Sequence, residues 1–303
     1  RRRAAPFRVS VGRCAGSANK GMDARDCLAP QTDVQQKAQR LSPTIHHTAI
    51  VEDGATLGED VTIGAFAFVG AKVTLGDRCV IHPRGTVMRN AVLGEEVEVF
   101  PGAVIGGPPQ VLGFQDDGTS RLTIGKGTIL RENVTVHTGS PAHGGLTSIG
   151  ENCLFMAYSH LAHDCTTGDK CVFANGVQIG GHVTIADQVW MGGLVAIHQF
   201  CRIGPHAFVG GGAIVVADVI PYGSVIGNHA YLAGLNIIGM KRRGFSRQSI
   251  HDLRAAYRML FAKEGTFSER VKDAEETYGD CKELMEIVDF IKSSKSRSLC
   301  LPE

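Results

Sequence analysis

The chain has 303 residues, and 31 Lys and Arg face 30 Asp and Glu, so net charge supports no broad binding to nucleic acid. No apolar run approaches the ~18 residues that a membrane helix needs. Thirty-eight glycines and only 6 % aromatic residues suit a thin, turn-rich solenoid rather than a thick globular core.

Residues 1–43 stand outside any repeat. They carry Arg1, Arg2, Arg3, Arg8, Arg13, Arg25 and Arg40 against three acids, spaced by Ser and Ala. A basic, acid-poor leader of this kind reads as a disordered mitochondrial targeting presequence, or else as a plain tail. In the second case the protein is expected in the cytoplasm.

From residue 44 an aliphatic residue recurs every six positions. The first run is Ile45, Val51, Leu57, Ile63, Val69, Leu75, Ile81, Val87, Leu93, Val99 and Ile105. The second runs from Ile149 through Phe155, Leu161, Thr167 and Phe173 to Val215, with Thr167 its one polar member. A period of six fits neither a helix nor an alternating strand, and it predicts a parallel β-helix of hexapeptides. Three hexads make one turn, so about ten coils fit, in a prism roughly 45–50 Å long. The aliphatic residue should point inward. Gly58, Gly64, Gly70, Gly76 and Gly94 follow it directly, as expected if the corner needs backbone angles that other residues resist.

The slot four residues after each aliphatic position is small, and Cys79, Cys153, Cys165, Cys171 and Cys201 occupy it. Nine cysteines without a CxxC pair therefore read as core fillers in a reducing compartment, not as a disulfide framework. The phase slips between Ile105 and Ile124, and again between Val136 and Ile149. Both interruptions are rich in Gly, Pro and polar residues, so they should leave the prism wall as external loops and line a binding surface. A smooth-sided prism of this kind is expected to assemble as a homotrimer with equivalent grooves between chains.

His137, His160, His163, His182 and His198 fall in one stretch, none at an inward slot. His163 and His182 are one coil plus one residue apart and should be neighbours up the rod. A neutral imidazole in a groove can take a proton from a hydroxyl near neutral pH, and Asp164 could fix its tautomer. Three histidines on facing surfaces could equally hold zinc, as in hexapeptide carbonic anhydrases.

From about Phe245 the pattern turns helical. Ser246 caps a run with Ile250, Leu253, Tyr257, Leu260 and Phe261 on one face. Thr266 with Glu269 forms a capping box. Leu284, Ile287, Val288 and Ile291 mark a third helix. Lys241, Arg242 and Arg243 at the junction would suit a diphosphate or an acidic carrier protein. The expected divisions are thus 1–43, a rod over 44–240 and a helical domain over 241–303.

The segments HLAHDCTTGDKC (160–171), GGHVTIAD (180–187), AIHQFCRIG (196–204) and GNHAYLAGLNIIGMKRRGFSR (227–247) together resemble the UDP-N-acetylglucosamine O-acyltransferase family, over about residues 44–265. The resemblance implies a left-handed parallel β-helix of hexapeptide repeats followed by a small C-terminal α-helical domain. It implies transfer of an (R)-3-hydroxyacyl group from acyl carrier protein to the 3-hydroxyl of UDP-N-acetylglucosamine, the first step of lipid A-type biosynthesis, without metal or other cofactor. His163 matches the general base, Asp164 its supporting carboxylate and the Gly181 amide the oxyanion donor. Gln110, His137, His160, His182, His198, Gln199, Asn236, Arg242 and Arg243 match substrate contacts, and Gly211 the position that limits acyl length. Two places depart from the bacterial pattern. Val111, Leu112 and Gly113 follow Gln110 where an Asp and a Lys are usual, and Ile238 stands where a Glu is expected. With the Arg-rich leader these departures point to a plant mitochondrial member. The N-acyltransferase of the same pathway, the zinc carbonic anhydrase and a non-catalytic trimer subunit are the competing readings.

Overall fold

The computed structural model describes residues 42–293 and 297–303. Most of the leader, residues 1–41, and with it the targeting reading, lies outside those residues.

Short strands stack into three parallel faces. The first face runs from Thr44–Ile45 up to Phe208–Val209 and Gly223–Ile226, the second from Ile50–Val51 to Ile214–Val215, and the third from Thr56–Leu57 to Arg202–Ile203. Each strand pairs with the one a full coil away, Ile45 with Ile63 and Phe173 with Met191. Where the loops intervene the ladder simply reaches further along the chain, Val99 to Leu130 and Ile124 to Ile149. The repeat therefore continues unbroken while residues 108–120 and 138–145 project from the wall.

The inward positions are as expected from the hexads. Ile63, Leu75, Ile81, Phe155, Leu161 and Ile179 are at most 1 % exposed, and Phe155 stacks on Phe173 with centroids 4.3 Å apart. Cys79, Cys153, Cys165, Cys171 and Cys201 are buried free thiols. Burial raises Cys165 to about 12, so it stays a protonated filler. Ile45 departs from its fellows at 46 % exposed, because among the described residues no coil lies beneath the first one.

The reason for the corner glycines differs from the sequence expectation. Gly58, Gly64, Gly70, Gly76 and Gly94 do not have left-handed backbones; that conformation falls two residues later, at Asp60, Phe66, Lys72, Arg78 and Glu96. What the glycines permit is close stacking. A Cβ on Gly58 would sit 2.6 Å from the Asp77 amide nitrogen, and one on Gly76 2.6 Å from that of Glu95. Backbone approach, not backbone angle, selects Gly here. The left-handed residues are held from the previous coil, as when the Arg78 N–H donates to the Glu59 carbonyl at 2.8 Å.

The rod ends in an antiparallel strand, Tyr231–Leu235, and four helices: α1 (Ile237–Arg242), α2 (Arg247–Leu260), α3 (Phe267–Tyr278) and α4 (Lys282–Lys292). Ser246 caps α2, and Thr266 with Glu269 forms the capping box of α3. Ile250, Leu253 and Leu260 pack with Val271, Leu284, Ile287 and Val288 as a small core. The antiparallel strand and α1 carry no periodic signal and were not anticipated. Residues 240 and 241, where a boundary was expected, both lie within α1.

Helices and rod are joined by polar anchors. Arg202 on the third face pairs with buried Asp218 at 2.7 Å, donates to the Phe290 carbonyl and stacks on the Phe290 ring. The C-terminal tail then returns to the rod: the Asp218 N–H donates to the Ser298 carbonyl, and the Cys300 N–H to that of Asp218.

Candidate active site

The edge between the second and third faces carries a column of chemistry-bearing residues one coil apart. His163, Gly181 and Gln199 occupy one level of each turn, and Asp164, His182 and Phe200 the next. All three of the latter are left-handed, with φ near +60°. The corner thus turns each side chain outward at a fixed interval set by the strand ladder.

His163 Nδ1 lies 2.7 Å from Asp164 Oδ2. The carboxylate is the acceptor, so Nδ1 carries the proton and Nε2 presents a lone pair. The Asp164 side chain is only 4 % exposed. Burial works against its charge, but hydrogen bonds from His163 and Ser140 outweigh it and hold the carboxyl below its ordinary range. Ser140 donates its N–H to Oδ1 at 2.8 Å and its hydroxyl to Oδ2 at 2.7 Å. His182 stands edge-on to His163, ring centroids 5.1 Å apart, and lies flat on Phe200 at 4.4 Å. Burial depresses the His182 pKa, against the pull of Asp164. Directly behind the His163 ring is Gly181, where a Cβ would fall 2.8 Å from Cε1 and 2.9 Å from Nε2. The Gly181 N–H donates to no acceptor among the described residues.

The two external loops roof this edge. Gln110 to Gln115 from the first, and Ser140 to His143 from the second, join His163, His182 and Gln199 around a cleft of about 550 Å³. Leu112 is fully exposed at its mouth. Gln110, His163, Asp164, Gly181, His182 and Gln199 are therefore brought together. His160 and His137 lie on the second face earlier in the rod, rings 5.2 Å apart. His160 meets the Thr135 hydroxyl at 2.8 Å, and burial, with His137 and His163 nearby, lowers it to about 4. His137 Nδ1 donates to the Pro108 carbonyl at the base of the first loop. His198 is exposed, and its Nδ1 accepts from Arg297 of the C-terminal tail at 2.7 Å.

The remaining residues sit elsewhere. Asn236, Arg242 and Arg243 border a cavity of about 590 Å³ on the first face, with Trp190, Phe208 and Leu235. The Asn236 side chain caps α1 and donates to the His206 carbonyl, so most of its polarity is spent inside the chain. Arg243 donates one nitrogen to the Gln188 carbonyl at 2.7 Å, while Nη1 is buried and unpartnered among the described residues. Gly211 lies at the corner between the first and second faces. The first face is the side of the prism opposite the His163 edge. One chain alone does not join the two sets.

Among the described residues one group has metal-ligand spacing: His163, Asp164 and His182, with ligand atoms within 4.8 Å of one another. It offers two imidazoles and a carboxylate rather than three histidines. Both carboxylate oxygens already accept from Ser140, and one also from His163. The set is built as a hydrogen-bonded His–Asp pair. Ser140, Thr147, His143 and Arg297 were missed by sequence reading. The only sequence signal for the first three was the polar interruption at 138–148 itself.

Comparison with known proteins follows the same lines. Residues 218–300 match the family model described as "Udp N-acetylglucosamine O-acyltransferase; Domain 2", and residues 54–89 and 146–181 match "Bacterial transferase hexapeptide (six repeats)". An acyl-[acyl-carrier-protein]--UDP-N-acetylglucosamine O-acyltransferase of Caulobacter vibrioides is 52 % identical over 260 residues, covering 86 % of this chain and 98 % of the relative. The crystal structure of Francisella novicida UDP-N-acetylglucosamine acyltransferase superposes with TM-score 0.82 at 34 % identity, over 85 % of this chain and 94 % of that one. That of the Arabidopsis UDP-N-acetylglucosamine acyltransferase does so with TM-score 0.75 at 32 % identity, over 84 % and 99 %. The fold shared with these structures is the left-handed parallel β-helix.

Proposed function

Because this chain belongs to the UDP-N-acetylglucosamine O-acyltransferase family, we propose that its His163 edge is the catalytic groove for transfer of a 3-hydroxyacyl group from acyl carrier protein to the sugar 3-hydroxyl of UDP-N-acetylglucosamine. The single observation that carries this is the His163–Asp164 pair at 2.7 Å inside a roofed cleft, with Nε2 left free to act.

The chemistry follows from that tautomer. Nε2 takes the proton of the acceptor hydroxyl as its oxygen attacks the thioester carbonyl. A C–O bond forms, and the carbonyl oxygen gains charge near the uncommitted Gly181 N–H. Collapse breaks the C–S bond, and the imidazolium returns its proton to the departing sulfur. Asp164 keeps Nδ1 protonated and favours the transient cation throughout. Purified protein is expected to consume labelled UDP-N-acetylglucosamine only when 3-hydroxyacyl carrier protein is supplied, with no loss after EDTA treatment. Turnover that EDTA abolishes and zinc restores would instead favour the metal reading.

We read the working assembly as a homotrimer. The first-face cavity, with exposed Arg242 and the unpartnered Nη1 of Arg243, suits a nucleotide diphosphate. It faces away from His163 in its own chain, so a neighbouring chain is needed to bring the two together. Light scattering should give a particle of three chains. A monomer with full turnover would refute the shared groove.

Gly211 is read as the acyl-length position. A Cβ there would meet the Gly193 carbonyl oxygen at 3.3 Å, a contact that small local movement relieves. Gly211→Met should therefore fold and shift preference toward shorter chains. Unchanged chain preference in an acyl-carrier assay would refute the assignment.

A further inference from the structure

Ser140 opens the short 3-10 helix Pro141–His143 in the second external loop, yet its side chain makes no capping bond to that helix. A serine at this position ordinarily accepts from the backbone two or three residues on. Here the hydroxyl is turned away and donates to Asp164 Oδ2 at 2.7 Å, while the Ser140 N–H donates to Oδ1 at 2.8 Å. Ser140 is 7 % exposed, so water does not compete for these bonds. The Asp164 N–H in turn donates to the buried Thr147 hydroxyl at 2.8 Å. The loop is itself tied down, since the Gly145 N–H donates to the Ser140 carbonyl and the Arg121 N–H to that of Gly145.

We propose that Ser140 is a positioning residue for the His163–Asp164 pair: by bridging both carboxylate oxygens it fixes the carboxylate plane, and so the direction in which His163 Nε2 points. This rests on the reading of His163 as the base. The carboxylate follows His163 in sequence and sits in a left-handed corner, φ +59°. A freely turning carboxylate would hold Nδ1 in more than one geometry. Ser140 removes that freedom from outside the rod, and it belongs to the segment that also roofs the cleft.

Ser140→Ala is expected to lower kcat about 10- to 100-fold, the rate equivalent of one hydrogen bond to a charged group, with KM for both substrates within about twofold. Ser140→Thr should recover most of kcat and Ser140→Val should not, a comparison at equal volume that stands even if Ala lowers the melting temperature. In an Asp164→Asn background, a change that the left-handed corner tolerates, Ser140→Ala should cost nothing more, because both act through one group. Full kcat in Ser140→Ala, equal rates in the Thr and Val variants, or losses that multiply in the double variant would each overturn the proposal. An active His163→Ala would sink the base assignment itself. A dead His163→Ala beside an unaffected Ser140→Ala would sink only this inference.

Discussion

His163→Ala is expected to lose between about 100- and 10,000-fold in kcat, the usual worth of a positioned general base, with little change in KM for the sugar nucleotide. The sugar 3-hydroxyl is a poor nucleophile while it keeps its proton, and no other side chain at this edge is equally placed to take it. His182 lacks a bonded carboxylate, its nearest approach to Asp164 being 3.8 Å. His160 is bonded to Thr135 and lowered to about 4, so it stays neutral but is a weak base. The measurement is single-turnover transfer from 3-hydroxyacyl carrier protein to labelled UDP-N-acetylglucosamine. Equal rates in wild type and variant would remove His163 from the mechanism.

Gly181→Ala should lose on the order of 100-fold in kcat, the penalty for a reacting group displaced by about 1 Å. The backbone at Gly181 is not left-handed, so alanine is conformationally allowed and the variant should keep the rod's fold. The added methyl, however, would lie within 3 Å of two His163 ring atoms. The ring cannot retreat without stretching its bond to Asp164, which Ser140 anchors. An alanine variant with wild-type kcat would show that the imidazole does not rest on this glycine during turnover.

The rod was readable because its cause is local and repeated. One aliphatic residue in six, with a small residue four places on, already describes the inner wall from Ile63 to Val215. The caps at Ser246 and Thr266 were readable for the same reason. The corner glycines were located but misexplained, since what excludes a side chain at Gly58 is the Asp77 backbone nineteen residues away, which no local rule sees. The site divides similarly. His163 and His182 follow from coil spacing, whereas Ser140 reaches Asp164 through a non-repeating loop, and Arg297 meets His198 across ninety-nine residues. Such partners are set by how the chain returns, not by any period.

The tight seats at Gly58, Gly76 and Gly125, where the neighbouring backbone fills the space of a methyl group, also govern how the molecule would come apart. A staircase whose treads touch cannot stretch its pitch; it can only shed storeys. The bottom storey, around Ile45 and Ile50, has one rim that no described residue covers, so among the described coils fraying should begin there and climb. The storey bearing His163 is clasped from above and below, and would be among the last to loosen.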